Sequence, residues 1–194
     1  MDKRTLNYYD TNADDFIKGT INADVSSLYD QFLPLIPLNA RILDLGCGSG
    51  RDSKNFLDMG YAVEAVDGSK ALCVKASEYI GKQVRCLMFQ DLDYENRFDG
   101  VWACASLLHV PKCDMADVLS RVNRALVADG VLYASYKYGS DERVDGERRF
   151  SDYTEDDVPE LFPERDWYNC RFWISADVRE DRTVKWLNVV ARKR

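Results

Sequence analysis

The sequence predicts an α/β domain in which a seven-stranded, mostly parallel sheet carries helices on both faces and ends in an antiparallel hairpin. Three observations predict it: strand-like and helix-like segments alternate along most of the chain, a glycine-rich turn follows the first strand, and two long strand-like segments close the chain. Such an alternation requires right-handed crossovers between parallel strands. With 194 residues, of which 46% are hydrophobic, the chain can form one domain with a proper core.

The strand and helix signals follow one another in a regular order. Apolar residues at helical spacing between 25 and 35 predict an N-terminal helix that ends near Pro37. Ser69 is placed to begin a later helix, and Thr154 with Asp157 has the spacing of a capping pair. The last two strands are joined by the tight polar stretch VREDRT at 178–183. The predicted strands cover 41–45, 61–66, 83–89, 98–104, 131–137, 167–176 and 183–191, and the further helices 51–58, 69–80, 114–127 and 154–161.

Composition and charge argue against several classes of function. A formal net charge of −7 and a sequence pI near 4.8 disfavour non-specific binding to DNA or RNA. No apolar run approaches the ~20 residues of a membrane span, and the N-terminal stretch lacks the apolar core of a signal peptide, so we expect a cytoplasmic protein. Six cysteines without a C-x-x-C pair predict reduced thiols and no metal site. They are Cys47, Cys73, Cys86, Cys104, Cys113 and Cys170.

The stretch ILDLGCGSGRD at 42–52 predicts a strand that turns sharply into a helix and holds a ligand. Its three glycines allow positive φ angles and a close approach of the backbone to that ligand. A dinucleotide fingerprint needs its third glycine at position 51, which is Arg51. Asp44 would also repel a diphosphate at the mouth of the turn. A ligand with a positive centre or an ammonium group suits this turn better.

Two further acids follow predicted strands. Asp67 ends the second strand about 20 residues after the glycine turn, where an acid can accept hydrogen bonds from a ribose. Asp91 follows the third strand and either meets the exocyclic amine of an adenine or is a solvated loop acid. Turn, acid and strand order together predict a ligand that contains adenosine, and the terminal hairpin disagrees with a dinucleotide-binding strand order.

These residues resemble the class I S-adenosylmethionine-dependent methyltransferases. The resemblance covers about residues 40–137, and the variant GCGSGRDS is most similar to small bacterial members often grouped with tellurite-resistance-type enzymes. It implies a Rossmann-like sheet, S-adenosylmethionine as cofactor, and transfer of its methyl group. The motifs that carry the resemblance are DLGCGSG at 44–50, Asp67, QDLD at 90–93 and CASLLHVP at 104–111.

The resemblance also implies roles for the cofactor-binding residues. Asp44 and the glycine turn hold the amino acid part, Asp67 holds both ribose hydroxyls, and Asp91 with Leu92 holds the adenine. A carboxylate at the turn attracts a cofactor that carries an ammonium and a positive sulfur. The predicted cofactor-binding residues are Asp44, Gly46, Cys47, Gly48, Gly50, Asp67, Gly68, Ser69, Asp91, Leu92 and Ser106.

His109, the only histidine, is the candidate catalytic residue. It follows the fourth strand at the edge where open α/β sheets bind ligands, and it is either a general base or a polar loop residue that orients its neighbours. Basic and aromatic residues at 136–138 and 148–149 are further candidates for contact with the substrate, although charged loop residues are more often solvated. The predicted substrate-binding residues are Tyr8, Tyr9, Tyr138 and Arg149.

Two segments are expected to cover the site. The stretch YYDTNADDFIKGT at 8–20 resembles the opening segment that many small-molecule methyltransferases fold over the cofactor, so residues 1–38 are expected to form a helical cap. Residues 139–148 are polar and rich in charge, which predicts a long exposed loop, and 139–153 is expected to act as a mobile lid. The whole of 1–194 then forms a single methyltransferase domain.

Three functions remain open from the sequence. The first is methyl transfer to a small molecule, favoured by the short chain and its acidic balance. The second is methylation of RNA or protein, and the third is a non-catalytic S-adenosylmethionine-binding regulatory module. A nicotinamide-dependent dehydrogenase is disfavoured by Arg51 and by the terminal hairpin. No feature of the sequence identifies the methyl acceptor or fixes the oligomeric state.

Overall fold

The computed structural model describes residues 2–179 and 182–194 and contains one large and one small sheet. The order of the large sheet is β3-β2-β1-β4-β5-β9-β8, in which β1 to β5 are parallel to one another and β9 is antiparallel to both β5 and β8. The predicted fold class is thereby confirmed. The strands are β1 Arg41–Leu45, β2 Ala62–Asp67, β3 Arg85–Cys86, β4 Phe98–Ala103, β5 Leu126–Lys137, β6 Glu142–Asp145, β7 Arg148–Ser151, β8 Trp167–Ala176 and β9 Lys185–Lys193.

Helices cover the sheet and also lie ahead of it in the chain. Ser69 caps the helix after β2 by accepting a hydrogen bond from the Leu72 N–H, and Thr154 with Asp157 forms the expected capping box. No described helix has the length and apolar character that crossing a membrane requires. The α-helices are α1 Lys3–Thr11, α2 Ala13–Thr20, α3 Ser26–Phe32, α4 Arg51–Asp58, α5 Lys70–Ile80, α6 Lys112–Ala125 and α7 Val158–Leu161, and short 3₁₀ turns occupy Leu33–Leu35, Phe89–Asp91, Leu107–His109 and Glu155–Asp157.

The sheet separates two large apolar clusters. Ile42 and Leu43 of β1 are both fully buried but belong to different clusters, because successive side chains of a strand point to opposite faces. On one face, the rings of Trp102 and Tyr133 stack with centroids 4.0 Å apart, and Phe32 of α3 packs against Trp102. This central packing fixes the carboxyl ends of β1, β2 and β4, where the candidate site lies.

Three predicted elements are wrong at their boundaries. The strand predicted at 83–89 contains only β3, because the chain leaves the sheet after Cys86 and enters a 3₁₀ turn that buries Phe89 in the core. The helix predicted at 114–127 begins and ends two residues earlier, and β5 starts at Leu126 instead of residue 131. Residues 180 and 181 of the predicted hairpin connection at 178–183 lie outside the described residues.

The long loop predicted at 139–148 is also wrong, since β6 and β7 form a hairpin there. Asp145 pairs with Arg148 across a two-residue turn that begins with Gly146 at φ +60°. A glycine at this position is a known signal for a tight hairpin turn, and the density of charges obscured it. The hairpin is also not wholly solvated, since Phe150 and Ser151 on β7 are buried. Its movement as a lid stays a prediction.

Candidate active site

The turn after β1 is built on glycines in the left-handed region of the backbone. Gly46 has a φ of +80° and Gly48 a φ of +54°, which other residues adopt only with strain. Gly46 is also tightly packed, because a Cβ atom added there would lie 2.5 Å from the Cβ of Ser106. Both glycines line two adjoining cavities of about 180 and 40 Å³.

Asp67, at the end of β2, lines the smaller cavity, and each of its carboxylate oxygens accepts one hydrogen bond from the protein backbone. One of its oxygens accepts a hydrogen bond from the Gly48 N–H at 2.9 Å, and the other accepts one from the Ser69 N–H at 2.8 Å. Burial raises the pKa of Asp67, and these N–H donors oppose that shift. Each carboxylate oxygen can accept a second hydrogen bond. Asp67 can therefore bind the two hydroxyls of a ribose while it holds the glycine turn.

The smaller cavity has the apolar walls that an adenine ring requires. Phe89 and Leu72, both buried, lie beside Asp67 in its lining. Ser106 lines the same cavity, and its hydroxyl donates a hydrogen bond to the Leu45 carbonyl at 2.6 Å. A carboxylate, an apolar slot and a glycine turn in one place fit an adenosine group with an amino acid tail.

The N-terminal helices lie directly over this region. Phe16 of α2 lines both cavities, and its ring would be 3.0 Å from a Cβ atom added at Gly48. Asp10 of α1 accepts hydrogen bonds from the Ser69 hydroxyl at 2.6 Å and the Ala71 N–H at 3.1 Å. These contacts join α1 and α2 to the start of α5 and to the glycine turn.

His109 is held between two segments that are distant in sequence. Its Nδ1 atom lies 2.6 Å from the Arg149 carbonyl oxygen, which can only accept, so Nδ1 carries the proton. Its Nε2 atom lies 2.7 Å from the Tyr9 hydroxyl, which then donates to it. Burial lowers the pKa of His109 to about 4, opposed by the carbonyl of Arg149 and reinforced by the charges of Arg148 and Lys137. The ring is therefore neutral near pH 7.

Tyr9 and His109 stand where the two cavities meet, because both side chains line both of them. Burial raises the pKa of Tyr9 to about 12, and the nearby Arg148 acts in the opposite direction. Tyr9 thus stays a phenol at neutral pH. Its oxygen donates to His109 and keeps lone pairs for another polar group.

A buried ionic network that the sequence analysis missed lies beneath the glycine turn. Asp52 accepts hydrogen bonds from the Tyr29 hydroxyl at 2.6 Å, the Trp102 Nε1 at 2.8 Å and the Arg51 guanidinium at 2.7 and 2.9 Å. Four donors satisfy the buried carboxylate, and the contact fixes Arg51 at the wall of the larger cavity. The aspartate follows the glycine motif directly, but its partners Tyr29 and Trp102 come from remote segments.

Asp44 lies behind the glycine turn and lines neither cavity. Its carboxylate, 2% exposed, accepts a hydrogen bond from the Ser53 hydroxyl at 2.6 Å. Burial and the charge of Asp52 raise the pKa of Asp44. Its contact with the cofactor's amino group stays a prediction, and in this geometry it supports the turn from below.

The structure brings only part of the predicted site together. Asp91 is exposed and Leu92 is buried in the core, and neither lines a cavity. The predicted site residues that line a cavity are Gly46, Cys47, Gly48, Asp67, Ser106, Tyr9 and His109. Those that do not are Asp44, Gly50, Gly68, Ser69, Asp91, Leu92, Tyr8, Tyr138 and Arg149.

Arg149 points its side chain away from the cavity and its neighbour Arg148 lines the wall instead. The Arg149 guanidinium forms ion pairs with Asp2 at 3.1 Å and Glu142 at 3.0 Å. Adjacent residues of β7 face opposite sides of the hairpin, so only one of the two arginines can face the cavity. Because the sequence analysis predicted a loop here, it could not use strand pairing to decide which of the two arginines faces the cavity.

Comparison with known proteins agrees with this geometry. A family model described as a methyltransferase domain matches residues 42–130. The chain is 28% identical over 143 residues to YqeM of Bacillus subtilis, a protein named as a methyltransferase. That alignment covers 66% of this chain and 57% of YqeM. It is 32% identical over 100 residues to the ubiquinone biosynthesis O-methyltransferase of Nitrobacter winogradskyi, covering 49% of this chain and 38% of that protein. The chain thus spans little more than half the length of the first relative and less of the second.

A solved structure shares the whole fold. The 1,6-didemethyltoxoflavin-N1-methyltransferase of Burkholderia thailandensis, with bound 1,6-didemethyltoxoflavin and S-adenosylhomocysteine, has a TM-score of 0.71 and 24% identity. The alignment covers 97% of this chain and 84% of that one, and at this identity it shows the fold alone. The family match at 42–130, the relatives and the sheet order together support a class I S-adenosylmethionine-dependent methyltransferase. S-adenosylmethionine is the cofactor of this family.

Proposed function

We propose that the protein transfers the methyl group of S-adenosylmethionine to a small-molecule acceptor. The main support for this proposal is the larger cavity of about 180 Å³. It is lined by the glycine turn, by Tyr9 and His109, and by Lys137 and Phe150. Its walls include the N-terminal helices, the β6–β7 hairpin and the end of β8, so the acceptor is surrounded on several sides. A recess enclosed on several sides favours a small molecule over a macromolecular surface.

The chain's own residues divide the work of binding. Asp67 takes the ribose hydroxyls, Phe89 and Leu72 cover the adenine, and the backbone of 46–49 holds the amino acid tail. When bound, the cofactor supplies an electrophilic methyl carbon next to a positive sulfur. The remaining task of the protein is to place the acceptor in line with that carbon and to exclude water, and positioning of this kind supplies much of the rate.

Tyr9 and His109 form the polar contact for the acceptor. A base with a pKa of about 4 takes up a proton poorly at neutral pH, so this geometry favours His109 as a positioning residue that orients the Tyr9 hydroxyl. The phenol oxygen then accepts a hydrogen bond from the acceptor or from a water beside it. An acceptor atom that is already ionised needs no stronger base.

The proposal is tested by incubating the purified protein with S-adenosylmethionine and a panel of small acids, amines, phenols and thiols. Formation of S-adenosylhomocysteine, measured by mass spectrometry, should depend on one acceptor class and on Asp67. Asp58→Ala, which changes an exposed acid at the end of α4, is the matched control for Asp67→Ala. Turnover that requires RNA or a protein substrate would contradict the small-molecule proposal, and failure to bind the cofactor would contradict the activity itself.

A further inference from the structure

The wall of the larger cavity is basic although the chain is acidic. The whole protein has a formal net charge of −7, whereas five basic side chains and two aspartates belong to the described residues that line this cavity. Both aspartates are already neutralised: Asp52 by Arg51 at 2.7 Å and Asp177 by Arg179 at 2.8 Å. The excess positive charge therefore lies elsewhere on the wall.

Three basic side chains remain, Lys137, Arg148 and Arg182, and the first two lie near His109. Neither forms an ion pair with a carboxylate among residues 2–179 and 182–194, and both are only partly exposed. They are placed against the buried ring of Phe150 instead, with the Lys137 Nζ 3.7 Å and the Arg148 Cζ 5.2 Å from its centroid. An aromatic face holds a cation without neutralising its charge.

The groups at this end of the cavity are close enough to influence one another. The His109 ring lies 5.0 Å from the Phe150 ring, and both Lys137 and Arg148 help to lower the pKa of His109. Burial, Arg143 and Arg148 in turn lower the pKa of Lys137. Arg143 is itself paired with Asp152 at 2.8 Å. Partly buried cations that repel each other are costly, and an anion bound between them would remove that cost.

We infer that the methyl acceptor is a small acid whose carboxylate or phosphate group binds Lys137 and Arg148. This inference rests on the proposed function, because it names the substrate class of the same site. The carboxylate of the cofactor could also bind Lys137 and Arg148. The amino acid tail that carries it is, however, expected at the glycine turn, where Arg51 lines the wall. The acceptor's anion then lies between Lys137 and Arg148, near Tyr9 and His109, and fixes the orientation of the reacting atom.

The test uses protein saturated with S-adenosylhomocysteine, so that the rival carboxylate is already bound. Calorimetric titration with benzoate, phenyl phosphate and benzamide compares two anions with a neutral molecule of similar shape. At least one anion should bind at least tenfold more tightly than benzamide, and the better anion distinguishes carboxylate from phosphate recognition. Lys137→Met and Arg148→Met should each weaken that anion at least tenfold without changing the affinity for S-adenosylhomocysteine.

Two controls keep the outcomes distinct. Arg165→Met removes an exposed positive charge outside the cavity lining and should change neither affinity, whereas Lys137→Arg should retain the binding of the anion. Equal binding of benzamide, absence of anion binding, or unchanged anion affinity in both methionine variants would overturn the inference and leave the proposed function intact. Failure of wild-type protein to bind S-adenosylhomocysteine would instead overturn the proposed function.

Discussion

The proposed cofactor end, at the glycine turn and the smaller cavity, and the proposed acceptor end of the larger cavity are assembled in different ways. At the cofactor end, Gly48 and Asp67 lie 19 residues apart and are joined directly at the ends of adjacent parallel strands. At the acceptor end, Tyr9 meets His109 across 100 residues, and Thr5 accepts the Arg149 N–H across 144 residues. One end is a local motif, and the other depends on how the whole chain folds.

This difference means that the two ends should respond separately to mutation. The cofactor end rests on the sheet core and on strained glycines, so changes there should alter both stability and cofactor affinity. The acceptor end rests on single contacts between helix α1, the β6–β7 hairpin and the loop after β4. Loosening such a contact should alter the acceptor side while cofactor binding persists.

The largest effect is expected from Asp67→Ala. The affinity for S-adenosylhomocysteine should fall at least about a hundredfold, because a hydrogen bond to a charged group is worth about 1.5–3 kcal/mol and two are lost. Calorimetry measures the change, with Asp58→Ala as the exposed control. Unchanged affinity in a folded variant would remove Asp67 from the ribose site.

The buried histidine at the acceptor end should make stability depend on pH. The pKa of His109 falls from about 6.5 to about 4 on folding, so between these values the unfolded chain binds a proton that the folded chain does not. As pH falls from about 6.5 to about 4, wild type should lose up to about 3 kcal/mol of unfolding free energy relative to His109→Gln. Asp44, whose pKa is raised, acts in the opposite direction in both proteins, so only the difference between them isolates His109. Equal pH profiles in urea unfolding would contradict this assignment.

At the cofactor end, close packing and backbone strain can be separated with two glycines. Gly81 has a φ of +69° and open space around it, whereas Gly46 has a φ of +80° and a neighbour 2.5 Å from its added Cβ. Gly81→Ala should cost about 1 kcal/mol of unfolding free energy for the backbone alone. Gly46→Ala should cost about 2 kcal/mol more, because the packing around Ser106 must yield as well. Similar losses in chemical unfolding would show that the turn is not packed as described.

The smallest expected effect concerns the contact between α1 and the hairpin. Thr5 is fully buried, and its hydroxyl accepts the Arg149 N–H at 3.0 Å. Thr5→Val keeps the shape and removes the acceptor, which should destabilise the contact by about 1 kcal/mol. Amide exchange at 148–151 should accelerate while the affinity for S-adenosylhomocysteine stays the same. Thr5→Ser retains a hydroxyl and should exchange like wild type, and a loss of cofactor affinity in Thr5→Val alone would show that the two ends are coupled.

The sequence predicted the structure around the glycine turn far better than the structure around His109, for physical reasons. Alternating apolar segments and the glycine turn depend on neighbours in sequence, so the sheet, α4, α5 and the places of Gly48 and Asp67 could be predicted from local patterns. The exposed Asp91 was assigned through resemblance, and the chain turns into the core one residue after it. The choice of Arg148 over Arg149 required the register of a hairpin that the charge pattern concealed. Asp52 was missed because its role depends on Tyr29 and Trp102, which only tertiary packing brings to it.

We propose that the two adjoining cavities hold the cofactor at the glycine turn and present its methyl group to the basic wall of the larger cavity. A crystal structure of the protein with S-adenosylhomocysteine tests it most directly. We expect the ribose hydroxyls on Asp67, the adenine beside Phe89, and the sulfur facing the part of the larger cavity that holds Tyr9, His109 and Lys137. A ligand whose carboxylate binds Lys137 and Arg148, or whose ribose lies away from Asp67, would contradict it.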